Sequence, residues 1–310
     1  MRKLQILLIS YGNLNYDGRL RELKKVAQLL GEVTIVSQEH IISARNKVCF
    51  KEKLTYFNFI KTSVNIAKQL EQIDILILDN RKSILPGLIV QRCVDVRFKV
   101  FDMRELYICK NVRSIKGKIG CLLENVILKR VDFVVCANSN RAKLTKKIFD
   151  LEKEPYVYEN FRQLTYEAGE DLRVLHKKYE KILSEDKFRF VSTAGCLMTR
   201  GTMELLKAVI NLPYESELFL IGAAPQKDIE TVQNFVEKYK CDNIRIIGKV
   251  PEAELKYLIN HCDVGVVYYH QNDLNNKYCA SGKVFEFLYE GVPIVSTDNP
   301  PLKKFVRSII

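Results

Sequence analysis

Six short apolar runs recur along this chain, and most of them are followed by a helix-like stretch. LQILLIS (4–10), DILIL (74–78), DFVVC (132–136), ELFLIG (217–222), NIRIIG (243–248) and DVGVVYY (263–269) are nearly continuous in apolar residues. A strand of that kind is buried on both faces, as in a parallel sheet covered by helices. Between them, apolar residues return at spacings of three and four. Leu20, Leu23, Val26, Ala27 and Leu30 are the first such set, closed by Gly31 before a strand over 32–37. Strand–helix–strand order repeated in this way predicts an α/β fold with doubly wound parallel sheets.

The alternation runs in two series. In the first, helices are expected over 63–72, 86–94 and 115–129, and Ser139 is expected to cap another running to Ile148. A last short strand spans 156–158. Residues 1–160 read as one Rossmann-like domain. The charge-rich stretch 161–187 reads as a linker and surface helix, and 188–310 as a second domain of the same class. At 310 residues, two domains of ordinary size fit.

Binding sites in open α/β sheets lie at the carboxyl ends of the strands. In the second series three strands end in glycine, at Gly195, Gly222 and Gly248, where a backbone or phosphate can approach closely. Downstream lies NNKYCASGKVFEFLYEGVPIVST (275–297). Ser281-Gly282 opens a helix, Val284, Phe285, Leu288 and Tyr289 share its apolar face, Gly291 ends it and Pro293 blocks its continuation. Lys283 and Glu286, three apart, lie on one face near the helix start. A cation, a carboxylate and free backbone N–H groups there suit a phosphate and a sugar hydroxyl; the bland alternative is a capped helix with a surface ion pair.

Other chemistries find no support. There is no GxGxxG after either first strand, no Walker A motif and no GxSxG elbow. The four histidines, His40, His176, His261 and His270, have no metal-like spacing. The nine cysteines are widely spaced, with no CxxC pair, and read as reduced core residues of a cytoplasmic protein. The start, MRKLQILLIS, turns polar at Tyr11-Gly12-Asn13 and reads as a first strand rather than a signal peptide. A net charge of +12 points to an anionic partner, but without a DNA- or RNA-binding motif it does not indicate nucleic acid. YICKNVRSIKGKIGCLLENVILKR (107–130) places Lys110, Arg113, Lys116, Lys118, Lys129 and Arg130 among Ile, Leu and Val. It is either a helix lying on an anionic membrane surface or an ordinary helix with a solvated basic face.

These stretches together resemble the group 1 glycosyltransferases (family four) of the GT-B fold, over nearly the whole chain. SGKVFEFLYEGVPIV resembles that family's S-x-N-K-x-x-E-Y helix and the G-x-P strand after it. GCLMTRG (195–201) resembles its phosphate loop, and LFLIG and IRIIGKVPEAELKYLINHCDVGV its next two units. In the first half, YDGRLRELKKVAQLL, FDMRELYI and VDFVVCANSNRAKLTKKI match further family stretches.

The resemblance implies two Rossmann-like domains facing across a cleft. It implies a retaining transfer of sugar from a nucleotide-diphosphate sugar to a glycan or polyprenyl-linked acceptor in cell-surface polysaccharide synthesis. It implies no metal or other cofactor, and a cytoplasmic protein peripheral at the inner face of the plasma membrane. Donor-binding residues would be Gly195, Arg200, Gly222, Val250, Ser281, Gly282, Lys283 and Glu286, with Glu286 on the ribose, Arg200 on the diphosphate and Val250 beside the base. Gly12, Asp17 and Arg19 would lie on the acceptor side, with Asp102, Arg104 and Glu105 at the catalytic position.

There are three departures from the family pattern. The first of two glutamates spaced eight apart is Tyr278, a histidine in the family's D-x-H-E stretch is Arg104, and the chain stops at Ile310, where the family continues with a strand and helices. The last of these leads to the expectation of a truncated form. The alternatives are a non-catalytic nucleotide-sugar-binding or partner subunit and, with weaker support, a nucleotide-sugar 2-epimerase of the same fold.

Overall fold

The computed structural model describes residues 3–14, 17–43, 47–109, 112, 114–166, 171–183, 186–212 and 215–306. Lys110 and Arg113 of the basic stretch lie outside these residues, as does Tyr16. The chain divides into two compact units, Met1–Phe161 and Arg162–Ile310.

The first unit runs β1 (Leu4–Ser10), α1 (Gly18–Leu30), β2 (Gly31–Val36), β3 (His40–Ile42), β4 (Lys47–Cys49), α2 (Tyr56–Gln69), β5 (Gln72–Asp79), α3 (Ile84–Cys93), β6 (Asp95–Met103), α4 (Ile115–Leu128), β7 (Phe133–Cys136), α5 (Ser139–Phe149) and β8 (Tyr156–Val157). Its sheet has the order β4-β3-β2-β1-β5-β6-β7-β8. All neighbours are parallel except the β2–β3 and β3–β4 pairs. Strand order reverses between β1 and β5, so a crevice opens at their carboxyl ends. Ile6 to Ile9 are fully buried, as a strand covered on both faces requires.

Two expectations for this unit shift, and one element is new. α2 begins at Tyr56, not Ser63, because the Thr55 hydroxyl accepts from the Asn58 N–H at 3.3 Å and caps it. Asn138, not Ser139, caps α5; its side-chain oxygen accepts from the Arg141 N–H at 2.9 Å. The antiparallel β3–β4 hairpin at the sheet edge was not expected at all.

The second unit runs α6 (Leu172–Leu183), β9 (Phe188–Ser192), α7 (Thr202–Val209), β10 (Ser216–Ile221), α8 (Gln226–Tyr239), β11 (Ile244–Gly248), α9 (Glu252–Ile259), β12 (Val264–Val267), α10 (Leu274–Lys277), α11 (Gly282–Tyr289), β13 (Ile294–Ser296) and α12 (Lys303–Val306). Its parallel sheet has the order β11-β10-β9-β12-β13, reversing between β9 and β12. The stretch read as a linker and surface helix does carry a helix of this unit, α6, and it also contributes to the core. Leu164 is fully buried, and Leu175 and Tyr179 pack with Tyr257, Leu258 and Val284. High charge density hid three well-spaced core residues.

All nine cysteines are free. Cys121, Cys136, Cys196, Cys262 and Cys279 are buried as expected, but Cys49, Cys93 and Cys109 lie at the surface. No helix among the described residues is long and apolar enough to cross a membrane.

Candidate functional site

The second unit gathers its candidate residues at the carboxyl ends of β9, β10, β11 and β12. Gly195 and Gly222 both have positive φ, +60° and +142°. They touch: a Cβ on Gly195 would come within 2.6 Å of the Gly222 carbonyl oxygen. The two strand-end loops thus meet backbone to backbone, which only glycine permits. Gly248 also has positive φ, with open space where a side chain would stand.

The loop after Gly195 is shaped from two sides. Asp228 on α8 accepts from the Met198 N–H at 3.1 Å, and the Thr202 hydroxyl donates to the Leu197 carbonyl at 2.7 Å. The loop ends in Arg200. Its guanidinium lies over the Tyr269 ring, 4.4 Å from the centroid, and donates to the Asn276 side-chain oxygen at 2.6 Å. Asn276 is itself held. Asn299, fully buried, donates to the carbonyls of Asn276 and Lys277 at 3.0 and 3.2 Å. Thr297 donates to Asn299 at 2.6 Å and accepts from the Tyr269 N–H at 3.0 Å. A polar chain from the end of β13 therefore fixes the residue that orients Arg200.

Helix α11 carries the rest. Glu286 is 2% exposed, and both its oxygens have donors: Arg162 at 2.6 Å and the Thr193 hydroxyl at 3.3 Å. The surface Lys283–Glu286 pair entertained from the spacing does not form; Glu286 faces inward and pairs with Arg162. Each carboxylate oxygen can still accept another hydrogen bond. Lys283 is half-buried and makes no ion pair among the described residues. Ser281 stands at the N-cap, but its hydroxyl makes no capping bond; it is buried without a partner, as is the Nε of Arg162. Gly282, the first helical residue, adds N–H groups that no side chain caps. Val250 packs against the core of this unit.

The first unit furnishes its strand ends differently. Asp79 ends β5 and Asp102 lies near the end of β6. Arg104 donates to Asp79 at 2.5 and 2.7 Å and to Asp17 at 2.6 Å. Ser10 also donates to Asp79, at 2.5 Å. Burial pushes the Asp79 carboxyl up to about 6, against the pull of Arg104. Burial opposes the Arg104 charge too, but Asp79 and Asp17 hold the guanidinium protonated above its ordinary range.

Arg19 is buried against Asp102, with contacts at 2.9 and 2.7 Å, and also donates to the carbonyls of Tyr158 and Glu159. Asp17 caps α1 through the Leu20 N–H, and Gly12 leaves it room: a Cβ there would stand 2.9 Å from the Asp17 carboxylate. Glu105 accepts from the Tyr107 hydroxyl. Gly12, Asp17, Arg19, Asp102 and Arg104 thus lie near these strand ends, with Arg104 paired to Asp17 and Asp79 and Arg19 to Asp102. Asp79, Ser10, Thr193, Arg162, Asn276 and Asn299 were not anticipated. Of these, Asp79 had a signal, a lone carboxylate closing the apolar run of its strand.

No protein-family model and no curated protein matches the sequence. Solved structures are. Sucrose-phosphate synthase from Thermosynechococcus elongatus superposes with a TM-score of 0.69 at 14% identity, covering 98% of this chain and 84% of that one. Anabaena HepE in complex with UDP-glucose superposes at 0.65 and 12% identity, over 97% and 82%.

The fold is GT-B.

The GT-B fold also houses other chemistry: the UDP-GlcNAc 2-epimerase of Methanocaldococcus jannaschii superposes with a TM-score of 0.55 at 11% identity, over 97% of this chain and 87% of that one. In this GT-B chain, His176 and His261 both contact Tyr257, through its hydroxyl at 3.2 Å and its carbonyl at 2.8 Å.

Proposed function

We propose that this chain is a glycosyltransferase. It takes a sugar from a nucleotide-diphosphate sugar and places it, with retention, on a glycan or polyprenyl-linked acceptor in cell-surface polysaccharide synthesis. One observation carries the reading: Glu286, buried in the middle of α11 and bonded to Arg162 and Thr193, keeps acceptor capacity on both oxygens. In this reading the ribose hydroxyls donate to Glu286 and Val250 borders the base. The diphosphate lies against Arg200, Lys283, the Ser281 hydroxyl and the Gly282 N–H. Those cations and dipoles stabilise charge on the leaving diphosphate, usually the main source of rate enhancement in such reactions. The reaction needs no metal, so a chelator leaves turnover unchanged. Anabaena HepE, of the same fold, was solved with UDP-glucose, which supports a nucleotide-sugar donor.

The acceptor side falls to Gly12, Asp17, Arg19, Asp102, Arg104 and Glu105. One observation there favours a second reading, a non-catalytic nucleotide-sugar-binding subunit. Arg104 stands where the resembled family has histidine, and its guanidinium is taken up by Asp79 and Asp17. Calorimetry with UDP-, GDP- and ADP-sugars separates the cases, with Arg200→Ala and Glu286→Ala as controls. Binding lost in both variants and sugar transfer by the wild type support the transferase. Binding without transfer or donor hydrolysis supports the subunit. If no nucleotide binds, or both variants bind like wild type, the donor-site assignment fails.

A further inference from the structure

Helix α4 has two apolar faces, and the fold uses only one. Gly120, Cys121, Glu124, Ile127 and Leu128 are turned inward. On the opposite side Ile115, Ile119, Leu122 and Val126 recur at spacings of four, three and four, forming one stripe. Ile115 and Leu122 are 77% and 64% exposed, and Ile119 and Val126 are also at the surface. An ordinary solvated helix face is polar.

The charges around the stripe are one-sided. Lys116 and Lys118 flank it near one end, Lys129 and Arg130 at the other, and all four are exposed. The helix has one acidic residue, Glu124, and it is buried, bound at both oxygens by Arg81 at 2.8 and 2.5 Å. The outward face of the helix therefore presents large apolar side chains and cations, with no acidic residue of its own.

We propose that this face of α4 docks on an anionic lipid surface, the helix lying in the interface plane. The apolar stripe enters the headgroup–acyl boundary while the flanking cations meet lipid phosphates. The all-cationic rim selects a lipid occupant over a second copy of the chain, whose own α4 would bring like charges together. The inference is independent of the donor-site reading.

Sedimentation with vesicles tests it. The full chain is mixed with phosphatidylcholine vesicles, with or without roughly a third phosphatidylglycerol. Wild type is expected to pellet with the anionic vesicles only, and to be released by salt. Ile119→Asp with Leu122→Asp should lower partitioning at least about tenfold. Lys116→Gln with Lys129→Gln should lower it roughly thirtyfold and flatten the salt dependence. Both pairs are at the surface, and circular dichroism checks that they fold. Wild type remaining in the supernatant, equal binding to neutral vesicles, or variants that bind like wild type would each overturn the proposal. So would a solution dimer that Leu122→Asp dissociates, which would assign the stripe to a second copy.

Discussion

The carboxyl ends of the two sheets are furnished in opposite ways. In the first unit the described strand-end charges are paired: Arg104 holds Asp79 and Asp17, and Arg19 holds Asp102. In the second, several donors among the described residues have no anionic partner. Lys283 makes no ion pair among the described residues, the Ser281 hydroxyl and the Arg162 Nε are buried without partners, and Arg200 lies on an aromatic ring rather than a carboxylate. The first arrangement is self-satisfied and stiffens its crevice. The second is short of anions, which a diphosphate would supply.

The largest expected effect tests the stiff side. Asp102→Ala leaves buried Arg19 without its carboxylate and should cost about 3–5 kcal/mol in urea unfolding, while UDP affinity stays unchanged. A parallel loss of UDP binding would break the comparison. Glu286→Ala strikes the other side and should weaken both uridine and UDP by about 2–3 kcal/mol in calorimetry, because a ribose contact serves both ligands. Arg200→Ala should cost UDP about 1.5–3 kcal/mol and uridine almost nothing, since only the diphosphate needs the cation. Equal losses for the two ligands would move Arg200 away from the phosphates.

Smaller effects refine the picture. Asn299→Ala touches no ligand but loosens Asn276, so UDP affinity should fall by about 1 kcal/mol, and by less once Arg200 is already alanine. For pH, the sign follows from the raised Asp79 carboxyl. The folded state holds that proton up to about 6, whereas the unfolded chain releases it near the ordinary aspartate value of 3.8. This group's contribution to stability is therefore full below the unfolded value and is lost as pH rises through about 6. Melting temperatures between pH 5 and 7 (roughly the range straddling that midpoint) should show the loss, and Asp79→Asn should remove it.

The parallel strands were legible because burial on both faces writes a continuous apolar run, as in Ile6 to Ile9 and Leu218 to Ile221. The β3–β4 hairpin was not, since strands of three residues at an edge bury too little to leave a pattern. Within 161–187 the surface helix of the second unit was legible, but the burial of Leu164, Leu175 and Tyr179 in its core was masked by the surrounding charges. At the site, Glu286 and the three glycines were readable from their place in strand–turn–helix units. That Glu286 pairs with Arg162 was not, because pairing between residues so far apart in sequence leaves no local trace. Asn299 was hidden for a related reason: a buried asparagine in a turn looks like any turn asparagine until its partners are seen.

The contact between Gly195 and Gly222 has a consequence for anyone who wishes to re-engineer this protein. The two loops leave different strands, yet neither has room to change alone, because each backbone forms the wall of the other. Grafting one loop from another GT-B protein would drive a foreign side chain into a peptide group. Loop exchange here has to be done in pairs, with the two strand ends moved as a single cassette.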